Sequence, residues 1–154
     1  MKQLLMVCHG NICRSPMAEF VMRALVHRAG LEKEIQVDSK ACRTDEIGND
    51  MHEGTKRVLR AHGISFSKRA ARQIRDEDYV RYDLILAMDE ENMRDLRRRF
   101  HGDPQGKCHL LLLYVGENRE VGDPWYTGDF DATYRDVVRG CKALLHTLQE
   151  DGKK

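Results

Sequence analysis

A chain of 154 residues, 41% hydrophobic and 33% charged, has the apolar content for one folded domain over residues 1–154 with its own core. Its net charge of +1 provides no electrostatic case for nucleic acid or an anionic membrane as partner.

The chain opens on a mostly apolar stretch, 2–7, of strand length. Next comes Cys8-His9-Gly10-Asn11-Ile12-Cys13-Arg14-Ser15-Pro16. Ser15 reads as an N-cap and Pro16 as the first helical residue, where a missing N–H costs nothing. Met17, Ala18, Val21, Ala24 and Leu25 recur at helical spacing until Gly30. Residues 8–15 are therefore expected to link a strand to a helix N-terminus. Unpaired amides and the helix dipole make such a junction an anion site. A curled loop aims further amides inward, and Gly10 lets the backbone pass where a side chain would obstruct it. Arg14 adds a planar fork for two phosphate oxygens. The same surroundings favour the thiolate, the attacking form, at Cys8. A nucleophile and an anion clamp thus stand within seven residues.

Downstream, 35–39 reads as a second strand, followed by a polar loop to about Asp50 and a helix over 51–62 stopped by Gly63. A short helix is expected at 76–82, a buried strand at 84–88 and a charged helix at 90–100. Arg97-Arg98-Arg99 follows Glu90, Glu91 and Asp95 on that helix and reads as a solvated face. A fourth strand is expected at 110–113 and a closing helix at 131–149. Strands alternating with helices predict an α/β fold: three layers, a parallel sheet covered on both faces, and ligands beyond the strand C-termini. The loop after the first strand lies at such an end. Asp123-Pro124-Trp125-Tyr126 falls in the connection before the last helix. Folded over the Cys8 loop, Asp123 would supply a proton and the rings would wall a slot for a flat group; a plain turn with two packing aromatics is the equal alternative.

No apolar run is long enough to span a membrane, and the N-terminal stretch is too short for a secretory signal. The five cysteines lack zinc-type pair spacing, so no metal is expected, and a reducing cytoplasm suits a thiolate nucleophile.

The two clusters together resemble the low-molecular-weight protein tyrosine phosphatase family. Val7 to Pro16 followed by Met17-Ala18-Glu19 carries the resemblance. Ala71-Arg72-Gln73-Ile74, Tyr82-Asp83, Ala87-Met88-Asp89-Glu90 and Asp123-Pro124-Trp125-Tyr126 support it. It implies a four-stranded parallel sheet and chemistry without cofactor or metal. Cys8 would form a phosphocysteine, with Arg14 and the loop from His9 through Gly10, Asn11, Ile12 and Cys13 holding the phosphoryl oxygens. Asp123 would be the acid and then the base. Asn11 and Ser39 would brace the loop, Ser15 would hydrogen-bond the sulfur, and Cys13 would be the redox partner of Cys8. Ile12, Asp45, Trp125 and Tyr126 would line the substrate slot.

The implied partner is a phosphotyrosine-containing protein, a tyrosine kinase among the options, acted on by a monomer or weak homo-oligomer. Three positions depart from the family pattern. His9 replaces an apolar residue and is expected at the rim. Asp45 replaces an aromatic and makes the rim acidic, which favours basic peptide flanks. Arg69 stands where a histidine often supports the loop, leaving the completion of the Asn11 network open.

Three alternative functions make different demands on the chain. A phosphoarginine phosphatase of this fold commonly has threonine at the position of Ile12 and a less aromatic aspartate loop. An arsenate reductase needs a cysteine relay, and 82–101 holds no cysteine. A phosphate-reading module without turnover has no use for a thiolate and a proton donor.

Overall fold

The computed structural model describes residues 1–153. Four strands, β1 (Lys2–Cys8), β2 (Ile35–Ala41), β3 (Leu84–Ala87) and β4 (Cys108–Leu110), form one parallel sheet in the order β2-β1-β3-β4. The expected class, a three-layer α/β fold with a four-stranded parallel sheet, is the one observed. Among the described residues six α-helices accompany the sheet: α1 (Arg14–Arg28), α2 (Glu53–Ala61), α3 (Asp78–Arg81), α4 (Glu90–Arg99), α5 (Pro124–Thr127) and α6 (Phe130–Asp151).

The central strand β1 explains the layering. Leu4 to Cys8 are all buried, because successive side chains enter opposite layers. Leu4, Met6 and Cys8 join a core built with α1, α2 and α6. Leu5 and Val7 join a second core with Met93, Leu96 and Phe100 from the α4 side. α1 lies between the sheet and α6, which buries ten of its residues, including Arg14, Ser15 and Glu19.

Several boundaries differ from expectation. The leucine run at 110–113 is not the fourth strand: β4 ends at Leu110, and Leu111–Val115 forms a 3₁₀ turn closed by Gly116 in the left-handed region. A continuous apolar run carries no period that separates strand from helix. Leu111 is instead drawn against α6, where Gly140 makes room for it; a Cβ there would lie 2.6 Å from Leu111 Cγ. Ser15 is not the N-cap of α1. Cys13 holds that position with no side-chain capping bond, Arg14 begins the helix, and the Ser15 hydroxyl is engaged elsewhere. The Asp123 segment is a one-turn helix rather than a plain loop, with Asp123 capping it through Trp125 N at 3.0 Å and Pro124 in its first turn.

Candidate active site

The loop between β1 and α1 is fixed from outside through its carbonyls. The Cys8 oxygen accepts from Cys42 N at 2.9 Å and the His9 oxygen from Arg43 N at 3.0 Å. The Asn11 oxygen accepts from Arg69 Nη1 at 2.9 Å, and the Ile12 oxygen from His52 N at 2.9 Å. The Cys13 oxygen accepts from Thr55 Oγ1 at 3.2 Å. Across a planar trans peptide the N–H points opposite to the C=O. The amides of His9, Gly10, Ile12, Cys13 and Arg14 therefore face inward, a nest for an anion. Gly10 passes close to a neighbouring side chain: a Cβ there would sit 3.0 Å from Glu46 Cγ and press on it. The left-handed residue of the loop is Asn11, at φ 62°.

Cys8 Sγ lies 3.1 Å from Ser15 Oγ and accepts from Ser15 N at 3.4 Å. Behind it runs a buried polar chain. Asn11 Nδ2 donates to Ser15 Oγ at 2.8 Å and to Ser39 Oγ at 2.9 Å, and Ser39 Oγ donates to Glu19 Oε1 at 2.5 Å. Glu19 also pairs with Arg23 at 2.7 Å; burial pushes its carboxyl up from the ordinary carboxylate range. Arg69 closes the network that the sequence left open. Its guanidinium reaches both the backbone oxygen and Oδ1 of Asn11, so a left-handed residue is held from two sides. Burial pulls the Arg69 pKa down, and Glu19 works against that. Arg69→Ala is expected to cost about 2 kcal/mol of stability through these charge-assisted bonds. Thermal or urea unfolding measures it, and an unchanged midpoint would show that Arg69 does not secure the loop.

Arg14 is 2% exposed. Nη1 donates to Asp89 Oδ2 at 2.7 Å and to the Val121 carbonyl at 3.1 Å, while Nη2 makes a longer contact of 3.3 Å with Asp123 Oδ2. Burial opposes its charge, but Cys8, Asp89 and Asp123 outweigh that and raise its pKa above the ordinary value. Asp89 was not singled out from the sequence as a site residue. Its Oδ1 caps α4 through Asn92 N at 2.7 Å while Oδ2 clamps Arg14, so one carboxylate fixes a helix start and aims the guanidinium.

Cys8, Cys13, Arg14 and Asp123 line one cavity of about 150 Å³ with His9, Gly10, Ile12, Asp45, Glu46, Trp125 and Tyr126. The expected site residues thus come together, except that Asn11, Ser15 and Ser39 stand in the chain behind the loop. Cys13 is buried, and that burial pushes its thiol up to about 12, so it is a neutral thiol. Trp125 is 57% exposed and meets His52 edge-on at 5.9 Å, and His52 stacks on Phe130 at 4.9 Å. That contact steadies the short α5. Asp45 lines the cavity as expected and is bonded to the His9 ring. Among the described residues no cluster of three His, Cys, Asp or Glu is arranged to hold a metal ion, and no helix is long and apolar enough to cross a membrane.

Fold and site together define a three-layer α/β protein that presents a cysteine at the centre of a strand-to-helix loop, backed by a buried arginine. The sequence matches the family described as low molecular weight phosphotyrosine protein phosphatase over residues 3–154, and the chain belongs to that family. It is 42% identical over 153 residues to the low molecular weight protein-tyrosine-phosphatase YfkJ of Bacillus subtilis, covering 98% of both chains. It is 40% identical over 149 residues to the low molecular weight phosphotyrosine protein phosphatase of Homo sapiens, covering 94% of both. The crystal structure of YfkJ superposes with a TM-score of 0.94, covering 98% of this chain and 96% of that one. The structure of SP-PTP, a low molecular weight protein tyrosine phosphatase from Streptococcus pyogenes, superposes at 0.87 with 36% identity, covering 96% and 93%.

Proposed function

We propose that this chain hydrolyses phosphotyrosine in proteins, and small aryl phosphates, through a phosphocysteine on Cys8. The observation that carries the reading is that Cys8, Arg14 and Asp123 line one cavity, bordered by a loop whose carbonyls are bonded outward. The amides and Arg14 take the three phosphoryl oxygens and stabilise the charge that spreads over them in the transition state. An incoming phosphoryl group replaces the long Arg14–Asp123 contact, while the bond to Asp89 keeps the guanidinium in place.

The Cys8 sulfur then forms its bond to phosphorus as the bond to the phenolic oxygen breaks, and Asp123 gives its proton to that oxygen. In the second step water attacks phosphorus, Asp123 takes the proton, and the thiolate leaves with the Ser15 hydroxyl hydrogen-bonded to it. Ile12 and the rings of Trp125 and Tyr126 flank the substrate ring, which favours an aryl group over a guanidino one. The partner in this reading is a phosphotyrosine protein met in a reducing cytoplasm, and the unit acting on it is the single domain of 1–154.

Asp123→Ala across a series of aryl phosphates tests the assignment of the acid. The loss in kcat/KM, which reports the step that releases the phenol, is expected to grow with the pKa of the leaving phenol, reaching about 10²–10³-fold for the poorest leaving groups. A uniform loss across the series would remove Asp123 as proton donor.

A further inference from the structure

His9 directly follows the nucleophile, yet the chemistry above makes no use of its side chain. The ring lies between carboxylates from two other elements. Nε2 is 2.6 Å from Asp45 Oδ2, on the loop after β2, and Nδ1 is 3.3 Å from Glu91 Oε1, in the first turn of α4. A carboxylate only accepts, so the imidazolium, with a proton on each nitrogen, satisfies both partners at once. A neutral ring turns one lone pair toward a carboxylate.

The other charged groups nearby are committed elsewhere. Arg43 gives its amide to the His9 carbonyl but its guanidinium to Asp95, at 2.9 and 3.1 Å. Glu46 is bonded to Asn49 at 2.6 Å, and Arg14 is turned to Asp89 and Asp123. The bond to Asp45 raises the His9 pKa above its ordinary 6.5, against the opposing effect of burial. His9 and Asp45 border the same cavity as Cys8. The trio carries one net negative charge with the ring protonated and two with it neutral.

We propose that His9 is a specificity-determining residue of the rim. Protonated, it holds Asp45 and Glu91 together; on losing its proton it can donate to only one of them, and the rim gains a negative charge that attracts basic residues flanking a phosphotyrosine. The proposal rests on the reading of the site as a phosphotyrosine protein phosphatase. It makes the acidic rim a property that pH sets, because the two carboxylates are available to a peptide only in competition with an intramolecular cation.

The test compares two phosphotyrosine peptides of one core sequence, with arginine flanks in one and glutamate flanks in the other. Their kcat/KM values are measured at low, constant ionic strength from about pH 6 to about pH 8.5, a range that starts below the ordinary histidine value and extends well above it. Neither flank titrates there, and changes in the phosphate, Cys8 and Asp123 are common to both peptides, so the ratio isolates the rim. In the parent protein the basic-to-acidic ratio is expected to rise about threefold with pH, the size of a screened surface charge effect. Its midpoint should coincide with the His9 ring titration followed by NMR. In His9→Gln the ratio should be flat, and in Asp45→Asn it should be lower throughout. A flat ratio in the parent, or the same rise in His9→Gln, would overturn the proposal. Turnover of neither peptide would overturn the functional reading beneath it.

Discussion

Cys8→Ser is expected to abolish turnover, lowering kcat for p-nitrophenyl phosphate by at least about 10⁴-fold. Every feature around this position is organised for sulfur rather than oxygen. The Ser15 amide at 3.4 Å and the Ser15 hydroxyl at 3.1 Å lie beyond the usual distances to an oxygen and suit the larger radius of sulfur. A serine hydroxyl is a far weaker acid, and the cavity holds no neighbouring histidine base to activate it: the His9 ring is taken by Asp45 and Glu91. The amide ring itself does not depend on the thiol, because outside partners hold its carbonyls. The variant should therefore fold, bind inorganic phosphate with undiminished affinity and retain phosphotyrosine proteins without releasing them. Steady-state kinetics with a phosphate-binding titration makes the separation. Turnover within tenfold of the parent would contradict the assignment, and loss of both turnover and phosphate binding would point to collapse of the loop.

Arg14→Ala is expected to lower kcat/KM by about 10³-fold or more, the scale on which a guanidinium serves phosphoryl transfer. Here the expected damage is twofold in kind. The phosphoryl oxygens lose their bidentate partner, and two carboxylates lose the cation that lies between them. Asp89 is only 18% exposed in its side chain and Asp123 22%, so removing Arg14 leaves partly buried charges uncompensated. Stability should fall by about 3 kcal/mol. Arg14→Lys separates the two effects. A lysine keeps a positive charge near Asp89 and recovers part of the stability, but its ammonium cannot offer the fork, so most of the kinetic loss should remain. Equal kinetics for lysine and arginine would mean that charge alone matters at this position.

The parts of the molecule that sequence reveals are those encoded within a few residues. The strand 2–7, the loop from Cys8 to Arg14 and the helix after it form one continuous segment, and each supports the reading of the next. Asp123, Trp125 and Tyr126 are visible because proline and two aromatics cluster beside an acid. What escapes is whatever serves two purposes or depends on distant contacts. Asp89 caps α4 through Asn92, and that its second oxygen holds Arg14, 75 residues away, leaves no local trace. Ser15 before Pro16 has the composition of a cap, but the thiol and Asn11 claim its hydroxyl and the helix begins two residues earlier, at Arg14. The four leucines at 110–113 lack a period, and packing against Gly140 decides their conformation. His9, Asp45 and Glu91 meet across 36 and 82 residues, so their contact is encoded only in the fold.

The claim on which the account turns is that phosphorus is bonded to Cys8 between the two chemical steps. Rapid mixing of the enzyme with an aryl phosphate, an acid quench during the first turnover and mass spectrometry of the resulting peptides test it directly. The expected result is one phosphoryl group on the peptide that carries residues 3–14, assigned to Cys8 by fragmentation and missing from Cys8→Ser. A burst of released phenol with phosphorus on another residue, or on none, would contradict it.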